Sequence, residues 1–234
     1  MPTLALDTAF QAGGVALAQG DRLLGELLQN SATTHSRRVL AAVDFLLGQL
    51  GQTRGAIDGL AVTVGPGYFT GLRIGLATAQ GLALGLGAPL VGVSTLRLLA
   101  QNLAVGAGGL IWALADARRG LLYAACFRDE PGGLTRLEDD MAISPQRLLP
   151  LLRPPAVLVG EGARLLAADA LAEGLRLAPR WADLPRPGLL ALLGAERLAA
   201  GQGQPPEAVR ARYCRPSDAE VRFQLPLDEY RLVE

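Results

Sequence analysis

The chain has 234 residues, half of them apolar, which is enough for one large or two modest cored units. Its 22 basic and 22 acidic residues cancel, so no overall field draws in nucleic acid, and RNA binding by this chain alone is not expected. Every basic residue other than His35 is arginine, which excludes the P-loop lysine, the Schiff-base lysine and the kinase strand lysine.

Thr3 to Asp7 reads as a strand, Gly14 to Gln19 as a second, and Arg22 to Gln29 as a third after the hairpin dipeptide Gly20-Asp21. The run before Asp7 is short and has no basic region ahead of it, so a signal peptide or membrane anchor is not expected there. A helix starts near Thr34 or Ser36. Val39, Val43, Leu46, Leu47 and Leu50 form one apolar face at offsets of four, seven, eight and eleven, and Gly51 ends it.

Leu60 to Val64 is an apolar, β-branched strand that stops at Gly65-Pro66-Gly67 and turns into a helix from about Thr70 to Leu86. Gly71, Gly75, Ala79 and Ala83 recur along that helix at four-residue spacing. Gly75 and Gly81 in its interior cost roughly 1 to 2 kcal/mol relative to alanine, so something must offset them. Close packing against another helix is one reading, an anion held at the turn the other. Pro66 removes an N–H and no lysine stands behind the loop, which favours packing. A strand at Leu90 to Val93 and a helix capped by Ser94 or Thr95 complete this half.

The pattern then repeats. A strand at Leu110 to Ala115 ends in Asp116, Arg118-Arg119-Gly120 turns the chain, and Leu121 to Arg128 returns as a strand. A weaker strand near Leu137 to Ile143 and a short helix at Ser144 to Leu152 follow. Ala156 to Val159 stops at Gly160-Glu161-Gly162 and enters a helix, as Leu60 to Val64 does at Gly65. A last helix spans Gly188 to Ala200, and an Arg/Pro-rich tail closes the chain. The expected division is an N-terminal βββαβαβα domain over 1–108 and a degenerate copy with the tail over 109–234.

Two βββαβα halves, each opening on a strand that ends in aspartate, describe an α/β duplicated fold. It is the actin-like, sugar kinase and Hsp70 (RNase H-like) architecture, here with a shortened second half. Leu4-Ala5-Leu6-Asp7-Thr8-Ala9, the run from Val64 to Gly75, Val91-Gly92-Val93-Ser94-Thr95-Leu96 and Asp116-Ala117-Arg118-Arg119-Gly120 stand in order. In these motifs the chain resembles the TsaB (YeaZ) family of bacterial tRNA threonylcarbamoyladenosine (t6A) biosynthesis proteins. The similarity is strong over about Thr3 to Phe127 and patchy beyond, with Gly160-Glu161-Gly162 and Tyr213-Cys214-Arg215-Pro216 as late echoes.

The resemblance implies a non-catalytic accessory subunit, a pseudo-enzyme, needed to place threonylcarbamoyl on adenosine 37 of tRNA. It implies docking on the catalytic subunit TsaD, with the ATPase TsaE joining, ATP and metal belonging to those partners, and tRNA met only through the complex. It also implies that the helices Ser36 to Leu50 and Thr70 to Leu86 form the docking bundle, through His35, Val39, Val43, Leu46, Gly71, Gly75, Ala79 and Ala83. Gly75 and Ala79 are expected to be exposed, and the same surface is expected to allow a homodimer in isolation. A cytoplasmic protein without a membrane association is the matching expectation.

The residues leave two alternatives. A nucleotide-dependent phosphotransferase or ATPase of the same fold needs phosphate loops after the opening strands, where this chain has Thr8-Ala9-Phe10-Gln11 and Ala117-Arg118-Arg119; Asp7 and Thr8 are its remaining candidates for nucleotide or magnesium contact. A peptidase needs a nucleophile with a base, and His35 beside Ser36 is the sole histidine candidate. One histidine excludes paired-histidine zinc sites, and the separated Cys126 and Cys214 fit no metal spacing and suit a reducing compartment. Arg37 and Arg38 read as a solvated face ahead of a contact to a partner or to tRNA phosphate, and the basic density of Arg118-Arg119 and of Arg210, Arg212, Arg215 and Arg222 as a solvated tail ahead of an RNA groove.

Overall fold

The computed structural model describes residues 1–31, 35–215 and, for the backbone, 232–233. Thr34, Pro216 and Arg222, which the sequence reading used, lie outside them. The chain forms two compact units, one of Met1–Thr95 with Pro185–Arg212, the other of Leu96–Leu184 with Tyr213–Glu234.

In the first unit β1 (Pro2–Asp7), β2 (Ala12–Gln19) and β3 (Arg22–Asn30) form an antiparallel meander. Helix α1 (His35–Gln49) follows, then β4 (Gly59–Gly65), α2 (Phe69–Leu86) and β5 (Leu90–Ser94); α3 (Thr95–Gln101) belongs to the second unit from Leu96 onward. The sheet order is β3-β2-β1-β4-β5, with β4 parallel to both β1 and β5. Strand periodicity sorts the residues of this sheet by size. Leu4, Leu6, Leu17, Leu60 and Val62 point to one face and share a core with Val39, Val43, Leu46, Ala79 and Ala83 of α1 and α2.

The other face is built of small residues, because Thr3 pairs with Ala18 and Gly59, and Ala5 with Ala16 and Ala61. A late helix, Pro187–Ala199, lies there. A Cβ added at its Gly194 would come within 2.5 Å of Ala61 Cβ, and one added at Gly59 within 2.5 Å of Leu198 Cδ1. The boundary expected at residue 108/109 assigns this helix to the second half; it packs on the first sheet, whose small-residue face lets it approach closely. Its entry is fixed by Glu26 on the same sheet face, which accepts from Gly188 N–H at 3.0 Å and from Arg186 Nε at 3.0 Å. Burial would raise the Glu26 pKa, but Arg186 and the Gly188 amide outweigh it, and the carboxyl is lowered. Glu26→Gln is expected to cost about 1 to 3 kcal/mol at pH 7, read from urea unfolding, because it removes the charge from one end of this lock.

The second unit repeats the plan. Strands β6 (Leu110–Arg118), β7 (Leu121–Glu130) and β8 (Gly133–Ile143) are an antiparallel meander, followed by the short α4 (Pro145–Leu148), β9 (Ala156–Val159), α5 (Glu161–Leu165), α6 (Ala167–Ala172) and β10 (Arg176–Leu177). The last helix described above is α7, and β11 (Leu232–Val233) runs parallel to β8. The order is β10-β9-β6-β7-β8-β11, with β9 parallel to β6 as β4 is to β1. Strand β8 is longer than the sequence suggests, and α4 shorter, its continuation Leu149–Leu151 being a 3-10 turn. The β6–β7 connection has positive φ at both Arg119 and Gly120, as a tight twisted hairpin requires.

The duplication extends to how glycines are used. Gly65 (φ 118) and Gly160 (φ 106) each end a strand in a region other residues avoid. A Cβ at Gly67 would meet Ala9 O at 2.6 Å, and one at Gly162 would meet Ala115 N at 2.7 Å. In both units the helix after the fourth strand starts hard against the end of the first strand. The second unit adds two carboxylate staples. Asp183 accepts from Gly160 N–H and Arg164, and Asp129 accepts from the amides of Val105, Gly106 and Ala107.

Candidate functional site

Two places in the first unit hold the residues singled out from the sequence. The first is the end of β1, beside the start of α2. Asp7 is fully buried there; its Oδ1 accepts from Thr63 Oγ1 at 2.7 Å and from Ala9 N–H at 3.2 Å, while Oδ2 has no hydrogen-bond partner. Burial pushes its pKa up from 3.8 to about 6, against the opposing pull of Thr63 and Ala9. Thr8 Oγ1 donates to Gly71 O at 2.8 Å, and Ala9 O accepts from Tyr68 N–H at 2.7 Å. The Thr8-Ala9 backbone therefore lies against the first two turns of α2 and occupies the helix entry, the position an anion takes in nucleotide-binding relatives of such turns. The Gly65-Pro66 peptide is cis. Among the described residues, no three His, Cys, Asp or Glu side chains are grouped to hold a metal ion.

His35 sits at the first residue of α1 and locks it to the β1–β2 connection. Its Nε2 lies 2.7 Å from Phe10 O, which can only accept, so Nε2 carries the proton and Nδ1 accepts from Arg38 Nη2 at 3.2 Å. Arg38 Nη2 also donates to Gln11 O at 3.0 Å. Burial, with the Arg38 charge, lowers the His35 pKa, and the Phe10 carbonyl opposes the shift only in part. Arg38 is thus a hydrogen-bonding partner of this loop, where the sequence suggested a purely solvated face.

The second place is the pair α1 and α2. Val39, Val43, Leu46, Gly71, Gly75, Ala79 and Ala83, expected at a docking surface, are all buried within the unit. Ala79 and Ala83 of the small-residue stripe share a core with α1 of the same chain, and the stripe is not open to a helix of another chain. A Cβ at Gly71 would fall 2.2 Å from Thr8 O and one at Gly75 2.1 Å from Thr8 Oγ1, so both glycines make room for the β1–β2 connection. Periodicity identified the faces correctly as apolar or small, but both face the core.

The opposite faces carry the exposed apolar surface. Leu40 (46%) and Phe45 (58%) project from α1, and Leu84 (64%) from α2. Beside them stand exposed Ala41 and Gly48 on α1, and Ala77, Gly81 and Gly85 on α2. A Cβ added at Gly48, Gly81 or Gly85 would meet nothing within 4 Å. Ala77, Gly81 and Gly85 keep the four-residue spacing that lets a helix approach closely, about half a turn from the stripe read out of the sequence. Leu40, Phe45 and Leu84 could have been found as large apolar residues off the core face. Arg73 covers the end of this face, its guanidinium 3.7 Å from the Phe69 ring centroid.

Comparison with known proteins gives the same direction over most of the chain. The family model of TsaD, tRNA N6-adenosine threonylcarbamoyltransferase, matches residues 29–221. The tRNA threonylcarbamoyladenosine biosynthesis protein TsaB of Bacillus subtilis is 31% identical over 230 residues, covering 95% of this chain and 98% of its own. TsaB of Escherichia coli K12 is 38% identical over 144 residues, 61% of this chain and 62% of its own. The structure of YeaZ from Pseudomonas aeruginosa superposes with a TM-score of 0.75 at 28% identity, over 90% of this chain and 98% of that one. An activator of 2-hydroxyisocaproyl-CoA dehydratase from Clostridium difficile, at TM-score 0.50 and 16% identity, shares the fold alone. Two βββαβα units, and a relative matched along nearly its whole length, agree: the chain belongs to the TsaB (YeaZ) family of tRNA threonylcarbamoyladenosine biosynthesis proteins.

Proposed function

We propose that this chain is a non-catalytic accessory subunit in the threonylcarbamoylation of tRNA adenosine 37, and that it docks a TsaD-like catalytic subunit through the outer face of α1 and α2. The observation that carries the docking reading is the patch of Leu40, Phe45 and Leu84 flanked by Ala41, Gly48, Ala77, Gly81 and Gly85. Large anchors beside small residues on two neighbouring helices suit a helix pair from another protein, and exposed apolar residues of this kind suit an interaction site. Self-association through the same face in the absence of the partner is part of the proposal. A TsaE-like ATPase completes the assembly, and nucleotide and metal chemistry belong to the partners, as does contact with the modified adenosine.

The accessory role draws support from the β1 end. Asp7 and Thr8 make structural hydrogen bonds, and His35 has both ring nitrogens engaged by Phe10 O and Arg38, which removes the free lone pair a base needs. Among the described residues no helix is long and apolar enough to cross a membrane.

The role is tested by reconstitution from tRNA, threonine, bicarbonate, ATP and the companion proteins, with and without this chain; equal modification rates would reject it. The surface is tested by Phe45→Glu with Leu84→Glu, two exposed positions whose change spares the core. Binding to the TsaD-like subunit is expected to weaken at least about 100-fold in titration or gel filtration, since each removes an interface anchor and buries a charge. Unchanged co-elution of the folded double variant would place docking elsewhere.

A further inference from the structure

The connection between β1 and β2 anchors both α1 and α2. Ala9 O accepts from Tyr68 N–H at the entry of α2, Phe10 O from His35 Nε2, and Gln11 O from Arg38 Nη2. The approach of the two first turns, and with it the position of Leu40 on the outer face of α1, is therefore set at one place. The imidazole is wedged there: a Cβ added at Gly13 of β2 would fall 2.8 Å from His35 Cε1, so the ring packs directly on that glycine. Arg38 is less well secured. Its Nη2 makes the bonds to Gln11 O and His35 Nδ1, while its Nη1 is buried without a hydrogen-bond partner.

We propose that His35 and Arg38 are positioning residues for the docking face, a latch that holds the first turn of α1 while the imidazole is neutral and releases it when the imidazole takes up a proton. The inference rests on the docking reading of α1 and α2. A proton from solvent can add only to Nδ1, whose lone pair accepts from Arg38 at 3.2 Å. Two donors and two positive charges then face each other. The ring cannot retreat, because Nε2 still donates to Phe10 O and Gly13 closes off its other side. Arg38 therefore leaves, its bond to Gln11 O goes with it, and its buried Nη1 gains water. Val39 and Val43 stay in the core, which confines the displacement to the first turn and the neighbouring Leu40. Among the described residues the charge acting on His35 is that of Arg38. Asp7 at the end of β1 turns its carboxyl to Thr63 and Ala9, Tyr68 meets Phe10 edge-on at 5.4 Å, and Arg37 is exposed. Burial, then Arg38, lowers the His35 pKa from its ordinary 6.5, so the latch is closed at neutral pH and opens in the range below 6.5.

His35 is the one histidine in the chain, so its imidazole C–H resonances report the latch in the untagged protein without assignment. Arg38→Gln is expected to raise the midpoint of that titration, since it removes the neighbouring charge. Binding to the TsaD-like subunit is measured from pH 8 to pH 5 with the parent chain and with His35→Gln, whose amide keeps a donor for Phe10 O and an acceptor for Arg38 at every pH. The two are expected to bind equally at pH 8. Below the His35 midpoint the parent is expected to lose up to about tenfold more affinity per pH unit than the variant. Titrations within the partner, and that of Asp7, are common to both chains and cancel. Should His35→Gln fold poorly, Arg38→Gln takes its place and is expected to flatten the profile likewise. Profiles that stay parallel within about twofold, or a midpoint that Arg38→Gln leaves unmoved, overturn the latch. Parallel profiles with binding lost in Phe45→Glu with Leu84→Glu reject the latch and leave the docking reading standing. Binding that survives that double change rejects the docking reading, and the His35 resonances of the isolated chain still decide the latch.

Discussion

Gly75→Ala is expected to destabilise the protein by about 2 to 3 kcal/mol, whereas Gly81→Ala, six residues on in the same helix, is expected to stabilise it by up to about 1 kcal/mol. Both changes gain the same helix propensity. They differ in what the new methyl meets. At Gly75 it would fall 2.1 Å from Thr8 Oγ1, and Thr8 is held from the other side by its hydrogen bond to Gly71 O. At Gly81 it meets nothing within 4 Å. Relief at Gly75 therefore requires the β1 end to move, with Asp7 and the Tyr68–Ala9 bond attached to it, while Gly81 needs no adjustment. Urea unfolding of the two variants reads the difference directly. Equal effects of the two changes, or a neutral Gly75→Ala, would show that the β1–β2 connection yields easily and is not what those glycines serve.

This contrast explains what could be read from the sequence and what could not. Strands β1 to β5 and helices α1 and α2 were legible because their signals are local: alternation or apolar runs for the strands, the Val39, Val43, Leu46, Leu47 spacing for α1, Gly65-Pro66-Gly67 as punctuation. The duplicated plan followed from the same signals, since Gly160-Glu161-Gly162 repeats that punctuation. What lay against Gly71 and Gly75 was not legible. Four-residue spacing of small residues states that something comes close, and a loop 63 residues earlier in the chain satisfies it as well as a helix does.

Helix α7 was recognised as a helix but grouped with the second half by chain order, whereas it belongs to the first unit. A usable signal existed in the alternation of Thr3 and Ala5, Ala16 and Ala18, Gly59 and Ala61, which marks one face of the first sheet as small throughout. Arg210 and Arg212, read from the sequence as part of a solvated tail, belong to a segment that turns back along the first sheet, where Arg212 N–H donates to Val64 O at 2.7 Å, and no local period marks it. Strand β10, two residues long, carries too little pattern to be seen.

Asp7→Asn is expected to remove a pH dependence worth about 3 kcal/mol. The folded-state pKa of Asp7, about 6, lies above its ordinary value of 3.8, so the native state holds a proton that the unfolded chain gives up. That proton favours folding fully below about pH 3.8, and the advantage is lost as pH rises through about 6. At about 1.4 kcal/mol per pH unit, the difference between acid and neutral solution is about 3 kcal/mol. The asparagine variant lacks it, so its stability relative to the parent should rise by about that amount between pH 4 and pH 7 in chemical denaturation. The buried Oδ2 without a partner becomes an amide that still has none, an offset that is the same at both pH values and cancels from the comparison. If the two proteins instead run parallel from pH 4 to pH 7, Asp7 is ionised in the folded state at ordinary cost. It would then have a counter-charge or bound cation on Oδ2, and the structural reading of the β1 end would give way to a working carboxylate.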